Sequence, residues 1–213
     1  MTSAPDGITL RTVRAEDAEE LAVLHRDAFP DFFLSSLGVP FLRQFYLGFA
    51  DDDSAVSTVA VASDGRIVGS IVGTTEPAGF FSRLLKRRII PFSLLSAREG
   101  LRRPSIIPRL LRAVRYRGGT GSPIDGALLS SIAVASNQQG RGTGSAMMRA
   151  WEQSAAAAGA DNAHLTTDAE DNDPVNEFYQ RLGWFLESQY TTPEGRLMNR
   201  YTRSLALQQE DQQ

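Results

Sequence analysis

A glycine-rich turn is the part of this sequence whose residue types and spacing are best suited to chemistry, and it reads QGRGTG from Gln139 to Gly144. An apolar run precedes it and an Ala- and Met-rich segment follows it, which predicts a passage from a strand into a helix. The first amides of a helix lack partners within the helix and lie at the positive end of its dipole. Phosphate oxygens bind well there, and glycines let a ligand come close to the backbone.

The spacing of these glycines fits neither of two familiar phosphate-binding motifs. The turn lacks the Gly-Lys-Ser/Thr ending of a P-loop, and its Gly140-x-Gly142-x-Gly144 pattern misses the GxGxxG dinucleotide fingerprint. Two interpretations therefore stay open. The turn could be an anion site to which Arg141 adds a charge, or a tight strand-to-helix connection whose glycines serve packing alone.

A second segment begins about thirty residues further on and reads NDPVNEFYQRLGW from Asn172 to Trp184. Together the two segments resemble the signature of the GNAT superfamily of N-acetyltransferases. Gln139-x-x-Gly142-x-Gly144 is similar to the family's Arg/Gln-x-x-Gly-x-Gly/Ala motif. The second segment is similar to its Asn-x-x-Ala-x-x-Phe-Tyr-x-x-x-Gly-Phe element, with Trp184 in place of phenylalanine. Val175 and Asn176 stand around the usual alanine.

The resemblance covers residues 8–75 and 126–203. The opening from His25 to Gly38 and the arginine-rich insert resemble a bacterial branch of the superfamily. This likeness implies that acetyl-CoA is the cofactor and that the acetyl group passes directly to a primary amine in a ternary complex.

The resemblance also implies which residues hold acetyl-CoA. Its pantetheine arm is expected where two strands separate, beside Ile132, Ala133 and Val134. Asn172 resembles a position whose side chain hydrogen-bonds the cofactor, although an asparagine here also suits a helix N-cap. The pyrophosphate is expected over the backbone amides of the turn, which are those of Gln139, Gly140, Arg141, Gly142, Thr143, Gly144 and Ser145.

Catalysis requires a neutral amine and a proton for the leaving thiolate. Tyr179 matches the family's general acid, and a phenol of pKa near 10 can donate to a thiolate whose conjugate acid has a pKa near 8.5. Packing in the core is the alternative role for this ring. The base is not readable from sequence. Asp168 and Glu76 end the strands before Asn172 and before the insert, and each is equally well explained as a solvated carboxylate.

The acceptor side is expected to include Phe29, Phe32, Phe33 and Glu76, although the three phenylalanines could simply pack a loop onto the sheet. His25 lies on the apolar stripe of the first predicted helix, and packing is the better interpretation of it. His164 interrupts an otherwise apolar strand and is interpreted as structural. Two isolated histidines without carboxylates at ligand spacing predict no metal site.

The order of predicted elements is a strand, two helices, several strands, a helix, a strand, a helix and two strands. Interleaving of this kind predicts an α/β fold with a mixed sheet flanked by helices, and the resemblance implies a mostly antiparallel one. The predicted helices cover residues 16–28, 40–50, 142–158 and 174–182. The predicted strands cover residues 8–13, 57–63, 66–75, 127–134, 163–167, 184–190 and 196–203. We expect one domain over residues 1–213 with a frayed polar tail at 206–213.

Residues 76–125 form an insert of two or three predicted helices. Between residues 76 and 117 it carries eleven basic side chains against two acidic ones, a net charge of +9 in a chain whose total is -3. Such a block could bind an anionic acceptor, lie on a membrane surface or form a dimer arm. Its arginines could also pair with acidic residues elsewhere in the chain.

Composition narrows the function classes. Cysteine is absent, which excludes disulfides, thiolate metal sites and a cysteine nucleophile. No export signal or membrane-length apolar run is visible, so we expect a cytoplasmic protein with peripheral membrane association as an option. The acidic total charge and the lack of a recognition motif argue against nucleic acid as a partner.

The leading expectation is acetylation of a small-molecule amine such as an amino sugar. Alternatives are a protein or peptide N-terminal acetyltransferase and a non-catalytic acyl-CoA sensor.

Overall fold

The structure is a computed structural model that describes residues 4–92, 94, 125–193 and 195–206. Its helices are α1 (Ala18–Ala28), α2 (Phe33–Ser36), α3 (Val39–Ala50), α4 (Pro77–Arg87), α5 (Thr143–Ala157) and α6 (Asp173–Arg181). Its strands are β1 (Ile8–Arg11), β2 (Ala55–Ala62), β3 (Ile67–Thr74), β4 (Ala127–Val134), β5 (Asn162–Asp168), β6 (Phe185–Thr191) and β7 (Leu197–Ser204).

The seven strands form one sheet in the order β1-β2-β3-β4-β5-β7-β6. Every neighbouring pair is antiparallel except β4 and β5, which run parallel. Consecutive antiparallel strands need only tight turns, and Gly65 in the β2–β3 turn has a φ of 86°, where a side chain would be strained. The parallel pair instead requires a crossover, which α5 supplies. The predicted mixed, mostly antiparallel sheet is confirmed.

Helices cover both faces of the sheet, and each face has its own apolar core. On one face α5 presents Met147, Met148 and Trp151, all fully buried, against β2, β3 and β4. On the other face α1 and α3 pack together and bury Leu21 and Tyr46. Both helices have apolar residues at three- and four-residue spacing, which is why each can bury one side.

The predicted elements agree with the observed ones to within one or two residues, and the limits of β4 agree fully. The short helix α2 was missed, since four residues carry too little periodicity to be recognised. The first predicted helix of the insert is α4, whereas the remainder of the insert at residues 95–124 and the tail beyond residue 206 lie outside the described residues. Among the described residues, no helix is long and apolar enough to cross a membrane.

The described cations of the insert are largely paired with acidic groups of the same chain. Arg83 donates to Asp52 through Nε at 2.7 Å and Nη2 at 2.8 Å, and to Glu76 at 3.0 Å. Arg87 approaches Asp52 at 3.5 Å, and Arg88 binds Asp51. Internal pairing therefore accounts for these three arginines. The anionic ligand, membrane surface and dimer arm predicted for the insert depend on cations at residues 98–117, which lie outside the described residues.

Candidate functional site

The strands β4 and β5 are joined at one end only, and they part beyond it. Their parallel pairing is confined to Ala127 with Ala163 and Leu128 with His164. In the described part of the chain, residues 129–134 of β4 make no pair with β5, although they pair with β3 on their other edge. The facing edges therefore leave backbone donors and acceptors free along a fork that opens toward Val134 and Asp168.

The glycine-rich turn lies at the open end of this fork. Gly140 and Gly142 have φ values of 72° and 85°, and Gly142 is the N-cap residue just before α5. A Cβ atom at Gly140 would meet nothing within 4 Å, and one at Gly142 would meet only Pro5 at 3.9 Å. Packing alone therefore does not explain these two glycines. The left-handed backbone requires them, and it leaves open space beside the amides.

The amides at the start of α5 are not satisfied by a side-chain cap. The hydroxyl of Thr143 is buried there and has no hydrogen-bond partner within the described residues. Arg141 is exposed, and it makes no ion pair within the same residues. Gln139 donates from Nε2 to the carbonyl of Val134 at 3.2 Å, which fixes the turn to the end of β4. The turn thus combines free donors with an unpaired cation.

The two predicted motifs meet in space at this point. A Cβ atom placed on Gly144 would lie 3.5 Å from the ring of Phe178 and 3.6 Å from Val134. Hence the first turn of α5, the end of β4 and the middle of α6 lie in contact range of one another. Phe178 packs against the core on the α5 side, as the sequence suggested.

Tyr179 is buried on α6, next to Phe178. Its ring packs against Trp184 and Tyr201, with centroid distances of 6.2 Å and 5.7 Å. Burial, with a smaller contribution from Tyr201, raises the pKa of Tyr179 well above its usual value. No hydrogen bond engages its hydroxyl among the described residues, so this phenol keeps its proton and has it free to donate. Core packing and proton donation, which the sequence posed as alternatives, are compatible here.

Asn172 stands where α6 begins, but its side chain does not cap the helix. Its Nδ2 donates to Thr167 Oγ1 at 2.8 Å and to the carbonyl of Asp168 at 3.1 Å. The N-cap interpretation of this side chain is therefore wrong, because its amide is turned toward the end of β5.

Asn176, which the sequence analysis did not single out, completes the attachment of α6 to the sheet. Its Nδ2 donates to the carbonyls of Asp168 and Asn172 at 3.0 Å each. Its Oδ1 accepts from Asn199 at 2.8 Å and from Tyr201 at 3.1 Å. A buried amide with all these partners holds α6 against β5 and β7. A polar residue at this position of a short amphipathic helix was the only available signal.

Comparisons with known proteins identify the family of this chain. A model of the acetyltransferase (GNAT) family matches residues 18–184. This chain belongs to the GNAT family. It is accordingly an acyl-CoA N-acyltransferase. A comparison of the sequence with curated proteins found no match.

Solved structures share the fold of this acetyltransferase at low sequence identity. The ribosomal-protein-S18-alanine N-acetyltransferase from Escherichia coli is 12% identical, with a TM-score of 0.57 over 93% of this chain and 94% of that one. NAA60 of Arabidopsis thaliana, in complex with acetyl-CoA, is 16% identical, with a TM-score of 0.58 over 92% and 98%. Aminoglycoside 6'-acetyltransferase type Ii is 15% identical, with a TM-score of 0.60 over 92% and 97%. These proteins are named for different acceptors, so the shared fold does not indicate which acceptor this chain uses.

The two carboxylates predicted as bases of the acetyltransferase are both engaged in ion pairs. Asp168 accepts from Arg196 at 2.5 Å and 2.7 Å, so its charge is held by a guanidinium. Glu76 pairs with Arg83 at the start of α4. Since β3 ends near Leu128 and β5 ends at the open side of the fork, the two carboxylates lie at opposite ends of the sheet. The two carboxylates therefore do not lie at the same reaction centre.

The predicted aromatic residues of the acceptor side form a row that leads away from α1. The rings of His25 and Phe29 are 4.9 Å apart, and those of Phe29 and Phe32 are 5.3 Å apart. The guanidinium of Arg196 lies over Phe32 at 5.2 Å. Through Arg196, the loop that carries Phe32 is connected to the β6–β7 hairpin and to Asp168. Phe33 begins α2 and is half-buried.

His25 is packed, as the sequence predicted. It is 4% exposed, its Nδ1 lies 2.9 Å from the Tyr46 hydroxyl, and burial lowers the pKa of His25 to about 4. Burial also raises the pKa of Tyr46 to about 12, although hydrogen bonds from Ser70 and Ser131 oppose that rise.

Proposed function

We propose that this enzyme transfers an acetyl group from acetyl-CoA to the primary amine of a small-molecule acceptor. The observation that carries the proposal is the fork between β4 and β5, with the uncapped glycine turn at its open end and Tyr179 beside it. A fork with free backbone groups suits the amides of a pantetheine arm. The uncapped start of a helix with a free arginine suits a diphosphate.

The residues present fit coenzyme A on grounds specific to this chain. Thr143 carries a buried hydroxyl without a partner in the described structure, directly where α5 begins. Gly140 and Gly142 border open space at the same turn. We assign the diphosphate to the amides from Gln139 to Ser145 and the pantetheine to the fork edge of Ile132, Ala133 and Val134. For Asn172 we retain only an indirect role, since its amide group is bound to β5.

The bound thioester supplies an activated acetyl group. The chain's part in the transfer is to hold it, to exclude water and to move protons. As the C–N bond forms and the C–S bond breaks, Tyr179 would give its proton to the leaving sulfur and take back the proton that the amine loses, and its raised pKa favours that return. We leave Glu76 out of the reaction, because it lies at the other end of the sheet. Asp168 can act only if Arg196 releases it.

A small acceptor is favoured over a peptide by the contacts of Arg196. This side chain bridges Phe32 on the α1 side and Asp168 at the end of β5. The bridge crosses the space between the loop and the hairpin, which leaves less room there for an extended peptide than for a small amine. N-terminal acetylation of a protein remains the second candidate, since a structural neighbour acts on a ribosomal protein. We keep a cytoplasmic location as a prediction.

The test is a matched pair of glycine variants at the two ends of α5. Gly142 and Gly159 have φ values of 85° and 88°, and neither has a close packing neighbour. Replacing either by glutamate therefore introduces similar backbone strain and the same charge. Gly142→Glu places its carboxylate in the proposed diphosphate site. We expect it to weaken coenzyme A binding by roughly 10²-fold or more, as expected for like charges a few ångströms apart. Gly159→Glu should bind normally.

Calorimetric titration with coenzyme A measures both variants against the wild type. Normal affinity in Gly142→Glu, or equal loss in both variants, would contradict the placement of the diphosphate. Thiol release from acetyl-CoA with a panel of amines, amino sugars and peptides then decides the acceptor class. Binding without turnover on any amine would instead support the sensor interpretation.

A further inference from the structure

Three buried polar atoms without a hydrogen-bond partner in the described part of the chain lie around the closed end of the fork. They are Ser130 Oγ on β4, His164 Nδ1 on β5 and Arg200 Nε on β7. We call these three residues the fork cluster. None of them belongs to the turn, to Tyr179 or to the predicted acceptor residues.

The register of the strands places the fork cluster on one face of the sheet. His164 pairs with Leu128 in the last β4–β5 pair, and Ser130 follows two residues later. A bulge between β3 and β4 falls at Ser130, because Val72 pairs with Ser131 and Gly73 with Leu129. Bulges re-aim side chains and are common beside active sites.

Arg200 joins the cluster from β7. It pairs with Thr166, two residues after His164, so the two side chains are diagonal neighbours on adjacent strands. The intervening residues Leu165 and Tyr201 face the core beneath α5 and α6. His164 and Arg200 must therefore face the opposite side, which is the side of Asp168 and Phe32.

Leaving these atoms without partners is costly. His164 is only 8% exposed, and no hydrogen bond to its side chain exists among the described residues. An unsatisfied buried donor or acceptor has lost its hydrogen bonds to water without replacement, which is why native proteins contain few of them. A molecule bound on this face would satisfy the cluster.

The donor set indicates the chemistry of that molecule. Arg200 Nε can only donate, and its guanidinium carries a positive charge beside the ring of Tyr190 at 5.2 Å. The hydroxyl of Ser130 and one imidazole nitrogen of His164 can donate as well. Burial, and to a lesser extent the charge of Arg200, lowers the pKa of His164 to about 4, so its ring is neutral at pH 7. The nearest carboxylate along the strand, Asp168, is held by Arg196.

We propose that the fork cluster binds an oxyanion of the acceptor, so that the amine substrate itself carries a carboxylate or a phosphate. This inference rests on the proposed function, because it assigns the substrate class of the same site. Carboxylate and phosphate oxygens share the ability to accept two or three charge-assisted hydrogen bonds from such a donor set.

Matched pairs of amines test the proposal and separate the two oxyanions. β-Alanine is compared with its amide, and glucosamine 6-phosphate with glucosamine. We expect kcat/KM for the anionic member of at least one pair to exceed that of the neutral member by about tenfold or more. Arg200→Gln should bring the ratio of the anionic to the neutral kcat/KM close to one, mainly by raising KM for the anionic member. Arg181→Gln, which removes the same charge from the exposed side of α6, should keep the preference.

A direct binding measurement makes the outcome independent of catalysis. Inorganic phosphate and succinate should raise the Tm of the wild type and of Arg181→Gln, and they should raise it less in Arg200→Gln and in His164→Gln. Any binding to the glycine turn is common to all four proteins and cancels in the comparison. A preference for neutral amines, or equal stabilisation by oxyanions in all four, would overturn the inference. If coenzyme A fails to bind the wild type, the proposed function fails, and this measurement still decides the cluster.

Discussion

Two tyrosines of the acetyltransferase stack on each other, yet their hydroxyl groups differ in every respect that matters for catalysis. Tyr201 donates to Asn176 at 3.1 Å and lies 3.3 Å from Gln180, so its hydroxyl is fixed within a structural network. The Tyr179 hydroxyl makes no hydrogen bond among the described residues. A proton donor must be available to a bound molecule, and only Tyr179 meets that condition.

Removing the hydroxyl of Tyr179 should therefore lower turnover, whereas removing that of Tyr201 should mainly lower stability. Tyr179→Phe deletes no hydrogen bond of the described structure, so we expect an unchanged Tm and coenzyme A affinity. Turnover should fall by about 10²-fold, the usual range for loss of a general acid. Tyr201→Phe should cost about 1 kcal/mol of stability, the net value of a typical buried hydrogen bond, with a smaller effect on turnover. Steady-state kinetics with an identified acceptor and thermal unfolding measure both quantities. An unchanged rate in Tyr179→Phe would remove this residue from the mechanism.

At the scale of elements, α4 is fixed to the molecule by charge as much as by packing. Its apolar side buries Phe80 and Leu84 against α3, and a Cβ atom on Gly48 would overlap Leu84 at 2.2 Å. On its polar side Arg83 binds Asp52, whose side chain is only 5% exposed. The hydrogen bond from Arg83 is the main reason why the pKa of Asp52 is lowered below its usual value. The basic insert thus begins at a fixed anchor.

Removal of this anchor should have a recognisable dependence on pH. A carboxylate whose folded pKa is depressed contributes stability above its unfolded pKa of 3.8, and that contribution is lost as the pH falls below this value. Arg83→Gln should therefore lower the free energy of unfolding by roughly 1–3 kcal/mol at pH 7, the value of hydrogen bonds to a charged group, while Ser54 and the more distant Arg87 still contact Asp52. The difference from the wild type should shrink between pH 4 and pH 2.

The control is Arg26→Gln, because Arg26 pairs only with its exposed neighbour Asp27. An exposed pair of this kind is worth little, so stability should hardly change. Urea unfolding at several pH values measures both variants. A difference between Arg83→Gln and the wild type that stays constant from pH 4 to pH 2 would contradict the assignment of the effect to Asp52.

For the molecule as a whole, the chain's two histidines determine how it responds to mild acid. His25 lies under α1 and His164 lies on β5, and burial lowers the pKa of each to about 4. In the unfolded chain both titrate near 6.5. Between these values the unfolded state binds more protons than the folded state, so stability rises with pH in this window.

We therefore expect the free energy of unfolding to fall as the pH is lowered from 6.5 toward 4. Each histidine contributes at most one proton, or about 1.4 kcal/mol per pH unit. The buried Trp151 and Trp184 provide a fluorescence signal for urea titrations. His25→Asn and His164→Asn should each reduce the slope by up to one proton, whatever they do to absolute stability. A slope that neither substitution changes would show that other groups control acid unfolding.

The continuity of the sheet from β1 to β6 is compatible with one domain over residues 1–213, which remains a prediction.

The sequence by itself determined the elements and the family, because both depend on local information. Apolar periodicity placed α1, α3, α5 and most strands to within two residues, since burying one side of an element requires that period. The glycine turn and the Asn172–Trp184 segment identified the family because a left-handed turn and a short helix each restrict residue choice at fixed spacing. The assignment of coenzyme A to these residues remains a prediction.

Only the tertiary structure decided which polar side chains are free and which are already bound. Asp168 and Glu76 looked alike in sequence, but Arg196 and Arg83 engage them at opposite ends of the sheet. His164 looked structural, but it stands without a partner beside Ser130 and Arg200 in the described structure. For Ser130, His164 and Arg200, strand order is what brings the partners together, because β4, β5 and β7 are neighbours in the sheet. No local pattern encodes such contacts, because the free energy that selects them arises only when the sheet has formed.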